Sequence, residues 1–106
     1  MNINFQIHYR AEYGQSLCVI EIQESILGWT EKSPLVLNCQ GTDFWQVNVP
    51  ISDFAGSIRY KYAIRVGEGQ YIYEAGEPRI LNLVESQKSK VERQIVVRDA
   101  WQASTY

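Results

Sequence analysis

Long apolar runs, blocks of like charge and cysteine-dense stretches are all missing from this chain, and each absence removes a class of protein. No stretch approaches the roughly 20 apolar residues that a membrane-crossing helix needs. Ten lysines and arginines and twelve acids are scattered through the chain, for a net charge of −2. A nucleic-acid binder carries a basic stripe, and none is legible, so nucleic acid is not an expected partner. Anionic membrane surfaces are disfavoured for the same reason. Only two cysteines are present, Cys18 and Cys39. Cys18 lies inside an apolar run, which favours two reduced thiols and a cytoplasmic setting over a bridge. The opening MNINFQIHYR alternates apolar and polar residues, so it reads as a strand and not as the core of a secretory signal. The single histidine, His8, has no spaced Cys or His partners, and no metal site is expected. No glycine-rich loop leads into a helix, and no cofactor is expected.

What the chain does have is alternation. Its 106 residues suffice for one domain with a modest core. In the stretch from Ser57 to Arg79, Ile58, Tyr60, Tyr62 and Ile64 fall on one side and Arg59, Lys61, Ala63 and Arg65 on the other. That is the period of a strand with one buried and one wet face. Val66-Gly67-Glu68-Gly69-Gln70 follows as a hairpin connection, and Tyr71-Ile72-Tyr73-Glu74 returns as a second strand. Ala75-Gly76-Glu77-Pro78 then breaks it.

The same pattern predicts strands over residues 3–9, 17–22, 35–37, 44–49, 79–83 and 91–98. Polar connections separate them, including residues 84–90, and residues 24–27 are expected to form one helical turn. Seven or eight short strands with turns between them predict an all-β protein, an antiparallel immunoglobulin-like β-sandwich. The module is expected to span residues 1–102, with 103–106 as a tail or the start of a linker. Residues 99–106 read as a tail, from which Trp101 can fold back onto the sandwich.

Several weak motifs in order then carry a resemblance. Residues 5–9, Tyr13-Gly14-Gln15-Ser16-Leu17, Leu27-Gly28-Trp29, Phe44-Trp45, Tyr60-Lys61-Tyr62, and Tyr73-Glu74-Ala75-Gly76 with Arg79 together resemble a starch-binding domain, that is, a family-20 carbohydrate-binding module. In detail the chain is similar to the first such module of the cytosolic 4-α-glucanotransferases, with Asp99-Ala100-Trp101-Gln102 matching their Asp-x-Trp-Gln ending. It departs from the family pattern at five points. Gly28 directly precedes Trp29, Glu21 stands at a usual glycine, and Tyr73 replaces a tryptophan. Pro78 replaces a site asparagine, and no tyrosine stands near Gln40-Gly41.

The resemblance implies non-catalytic binding of α-1,4-glucans (starch, glycogen, maltodextrins) that holds a parent catalytic domain at its polymer. It implies a first site of Trp29, Lys61, Tyr73 and Glu74. There the two rings stack on neighbouring glucose units while Lys61 donates to, and Glu74 accepts from, the sugar hydroxyls. A weaker second site would use Tyr13, Gln15 and Trp45, although alternation turns Trp45 inward. Against this stands the ordinary fate of strand aromatics, which is burial in the core. An immunoglobulin-like protein-interaction module with a degenerate sugar site is therefore the alternative. Catalysis by this chain is not expected, because Glu74, Asp43, Asp53 and Glu68 sit in turn-like settings and not as a pair across a cleft.

Overall fold

The computed structural model describes residues 2–51, 56–83 and 94–103. Over these residues the chain forms nine strands and no helix: β1 (Asn2–His8), β2 (Ser16–Glu21), β3 (Leu35–Val36), β4 (Asn38–Gln40), β5 (Phe44–Pro50), β6 (Gly56–Gly67), β7 (Gln70–Tyr73), β8 (Arg79–Leu83) and β9 (Gln94–Ala100). They build two sheets. One has the order β4-β5-β1-β9, and the other β3-β2-β6-β7 with β8 also paired to β6. Every pairing is antiparallel except that of β1 with β9, which run parallel. This is the expected β-sandwich.

Alternation sets the inward faces. Ile3, Phe5 and Ile7 of β1 meet Ile58, Tyr60, Tyr62 and Ile64 of β6 in one core, and all seven are buried. Fully burying an aliphatic side chain of this kind stabilises by about 1.5–3 kcal/mol. Strand β2 is covered on both faces, as its unbroken apolar run predicts, and Leu17 through Glu21 are buried. Trp45 is inward as expected, and its indole Nε1 donates to the Tyr9 carbonyl at 3.0 Å.

One more strand exists than the pattern suggests, because residues 35–40 change sheets. Leu35 and Val36 pair with β2, the Leu37 amide still donates to the Leu17 carbonyl at 2.9 Å, and Asn38 onward pairs with β5. The final strand extends through Asp99 and Ala100, which the sequence reading assigned to a tail. Trp101 folds back onto Tyr9, with ring centroids 4.8 Å apart. Residues 84–93, which held an expected loop and the start of that strand, lie outside the described residues, as does Asp53.

The expected helical turn at residues 24–27 does not form, and Glu21 is the reason. Its buried carboxylate accepts from the backbone amides of Ile26 (2.7 Å), Leu27 (2.8 Å) and Trp29 (3.0 Å). Amides spent on a carboxylate fold the segment into a loop around it, and Gln23 takes a left-handed φ of 74° at the bend. The Glu21 amide in turn donates to the Trp29 carbonyl at 2.8 Å. The loop closes on itself and brings Trp29 inward. Glu21→Ala leaves three amides without their acceptor, so urea unfolding should show a loss of about 3 kcal/mol or more. A loss below about 1 kcal/mol would mean that solvent takes over the carboxylate's role.

Candidate functional site

The first expected site does not assemble. Trp29 is only 7% exposed, and its indole meets Phe5 edge-on with centroids 5.6 Å apart. It is a core residue, drawn under the end of β2 by the Glu21 loop, and it offers no face to a sugar. Glu74 is only 2% exposed. Both of its carboxylate oxygens are committed inside the protein, so it cannot accept from a ligand hydroxyl.

The partners of Glu74 explain its burial. Arg79 Nε donates to Oε1 at 2.9 Å and Arg79 Nη2 to Oε2 at 3.0 Å, a bidentate pair. The backbone amides of Tyr62 and Gln102 donate to the same two oxygens, each at 3.1 Å. Arg79 continues to Asp99 Oδ1 at 3.3 Å, and the hydroxyls of Tyr60 and Tyr62 donate to Asp99 Oδ2 at 2.8 and 2.7 Å. Arg79 also lies over the Tyr62 ring, 5.5 Å from its centroid. Burial, then the negative charge of Asp99, pushes both phenols well above the usual tyrosine range. Burial alone would lower Arg79, but its hydrogen bonds and charge pairing with Glu74 and Asp99 outweigh that and hold it above its ordinary value.

Lys61 and Tyr73 remain on the outward face of the β6 sheet, both half-buried. Lys61 Nζ donates to the Glu74 carbonyl at 3.3 Å. Tyr71, absent from the expected site, joins them. Residues two apart on a strand share a face, and the Tyr71 and Tyr73 rings lie side by side with centroids 6.5 Å apart at 41°. Both rest on a small apolar patch of Cys18, Ile20 and Ala63. Their hydroxyls are tethered to one loop residue: Tyr71 donates to the Glu31 carbonyl at 2.7 Å, and Tyr73 to the Glu31 carboxylate. Burial and this bond raise the Tyr73 phenol above its usual range. The Tyr71-Ile72-Tyr73 spacing was the available signal for this pair.

The second expected site also separates. Tyr13 is fully exposed at the tip of its turn. Gln15 turns its carbonyl back to accept from the Glu12 amide at 2.9 Å, which orders that turn. Trp45 belongs to the core, so Tyr13 stands as a lone ring.

Residues 1–93 match the family model described as Starch binding domain. The chain belongs to the starch-binding domain family. Such a domain is a non-catalytic carbohydrate-binding module. No curated protein matches the chain in sequence. Among solved structures, the glycoside hydrolase family 15 glucoamylase from Hypocrea jecorina superposes with a TM-score of 0.69 at 18% identity, covering 96% of this chain and 17% of that one. The Hormoconis resinae glucoamylase gives 0.68 at 22%, covering 99% and 18%. The family 20 module of the maltotetraose-forming amylase from Pseudomonas saccharophila STB07 gives 0.64 at 13%, covering 93% and 100%. The chain thus spans under a fifth of each glucoamylase and nearly matches the isolated module. At these identities the likeness establishes the shared sandwich.

The Glu74 cluster makes two measurable statements about this starch-binding domain. Arg79→Met strands two carboxylates beside the core, and urea unfolding should register a loss of about 3–5 kcal/mol. The folded state keeps the Tyr60 and Tyr62 protons to higher pH than the unfolded chain, whose phenols titrate near about 10. Stability is therefore full below that pH and falls above it, by up to about 1.4 kcal/mol per pH unit for each tyrosine. Tyr62→Phe should lower stability at neutral pH yet flatten the alkaline decline. An unchanged alkaline slope in that variant would place the titration elsewhere.

Proposed function

We propose that this domain binds α-1,4-glucan without altering it, through Tyr71, Tyr73 and Lys61. The carrying observation is the pair of adjacent, half-buried rings on β7 with an ammonium beside them. A pyranose has an apolar C–H face and a hydroxyl rim. Binding it calls for aromatic surface under the face and fixed polar groups at the edge. The Glu31 tether holds both rings before any ligand arrives, which limits the ordering cost of binding. Tyr13 provides a separate lone platform on its own turn.

Burying one ring face contributes about 1–2 kcal/mol. Two faces with hydrogen bonds, less ordering costs, leave roughly 4–7 kcal/mol, a dissociation constant of about 1 mM to 10 μM. Weak contacts of this order suffice on a polymer that repeats its epitope. The role fitting such an affinity is to keep a catalytic domain of the same chain at its substrate. The motif resemblance supports a 4-α-glucanotransferase as that parent, with starch or glycogen as polymer. The free thiols of Cys18 and Cys39 support a cytoplasmic setting.

The burial of Trp29 and Glu74 favours a second reading, a protein-interaction module built on a starch-binding fold. Co-sedimentation with insoluble starch and calorimetry with maltoheptaose separate the two. Tyr73→Ala and Tyr71→Ala should each weaken maltoheptaose binding by about tenfold, or 1.4 kcal/mol, with a smaller loss of stability than truncating a core aromatic. Trp29→Ala should do the reverse, costing about 3–5 kcal/mol of stability by opening the core. A folded wild-type domain that binds neither ligand supports the second reading.

A further inference from the structure

The outward face of the β4-β5-β1-β9 sheet has a chemistry of its own. Register places Asn38, Gln46, Gln6 and Arg98 in one row across its four strands. The row on one side reads Asn48, Asn4, Val96, and the row on the other reads Gln40, Phe44, His8. Four of the chain's five asparagines and four of its nine glutamines lie on this face. Among the described residues it carries no carboxylate. Arg98 is its one permanent charge, in a chain that is 21% charged.

The central amides are ordered into a relay. Arg98 Nε donates to Gln6 Oε1 at 3.2 Å, Gln6 Nε2 donates to Asn4 Oδ1 at 2.5 Å, and Asn4 Nδ2 donates to the Val47 carbonyl at 3.4 Å. Around it Asn38 and Asn48 are exposed and make no side-chain hydrogen bond among the described residues. At one end His8 and Phe44 lie against each other with centroids 5.0 Å apart. A seven-residue strand such as β1 runs about 23 Å, so the face is long and nearly neutral.

A carboxamide offers two donors and an acceptor together, which suits a vicinal diol. It also sheds water at far lower cost than an ion. Nucleic acid would call for cations here, and a charged peptide for the opposite charge. The ligand complementary to this surface is neutral, hydroxyl-covered and extended. We infer that this face is a second carbohydrate-binding surface, one that lies against the packed chains of insoluble α-glucan and takes no part in gripping single soluble chains. It rests on the glucan-binding reading above but uses the opposite sheet.

The test compares raw starch granules with soluble maltoheptaose, using the intact domain, Asn38→Asp/Asn48→Asp and Asn38→Ala/Asn48→Ala. Both positions are exposed, so thermal midpoints should stay within about 2 °C. Granule affinity should fall at least about fivefold in both variants, with maltoheptaose affinity unchanged. Unchanged granule adsorption, or a loss confined to the aspartate pair, overturns the inference and leaves the Tyr71–Tyr73 site standing. So does a wild-type domain that takes maltoheptaose but ignores granules. A wild type that binds neither defeats both readings. A dimer in sedimentation that the variants abolish would assign the face to self-association, and that too overturns the inference.

Discussion

A carboxylate with no access to water is the constraint around which this domain is arranged. Glu74 lies just past β7, between β7 and β8, and its charge has to be met from within. The nearest strand, β6, supplies the Tyr62 amide, β8 supplies the Arg79 guanidinium, and the segment after β9 supplies the Gln102 amide. Each donor comes from a different stretch of chain, so all of them must be in register before the charge is satisfied. Arg79 and the phenols of Tyr60 and Tyr62 then reach Asp99 on the other sheet. Apolar contacts between the two layers tolerate sliding; the directional bonds from Arg79, Tyr60 and Tyr62 to Asp99 do not. A buried ionic cluster is a poor source of net stability but a strong selector among packings.

That selection accounts for what the sequence disclosed and what it hid. Period-2 alternation at residues 3–7 and 58–64 was enough to predict the sandwich and its two inward faces, because burial on one side leaves a local trace. The sheet change between Leu35 and Gln40 left no such trace, since two-residue strands carry no period. Residues 99–101 read as a tail because their value lies in contacts more than 35 residues away, from Asp99 to Tyr60 and Tyr62. The family resemblance correctly identified the domain, yet it placed Trp29 and Glu74 at a sugar site they do not occupy here.

The reason for that displacement was visible as a departure from the family pattern, though its consequence was not. Where the family has a small residue after the second strand, this chain has Glu21. A carboxylate there gathers the amides of Ile26, Leu27 and Trp29. The loop contracts around it, and the indole follows its backbone into the core beside Phe5. A carboxylate on a strand thus fixes the backbone of an aromatic residue eight positions later. Lys61 and Tyr73 keep their outward side because strand alternation, and not loop geometry, positions them.

Under the proposed reading, the two outward faces of the sandwich divide the chemistry that a glucan presents. On the β6 sheet, rings held by Glu31 offer apolar surface to the C–H face of a sugar, with Lys61 at its rim. On the β1 sheet, rows of amides offer hydrogen bonds to hydroxyls, with apolar contact limited to Val96, Pro50, His8 and Phe44. A single dissolved chain gains most from stacking, because its hydroxyls are already well served by water. A packed chain has its C–H faces partly covered by neighbours and shows hydroxyls in a fixed array, where many weak, pre-aligned bonds add up. Sheets facing opposite ways in one small domain would let it meet both forms of the same polymer, one on each side.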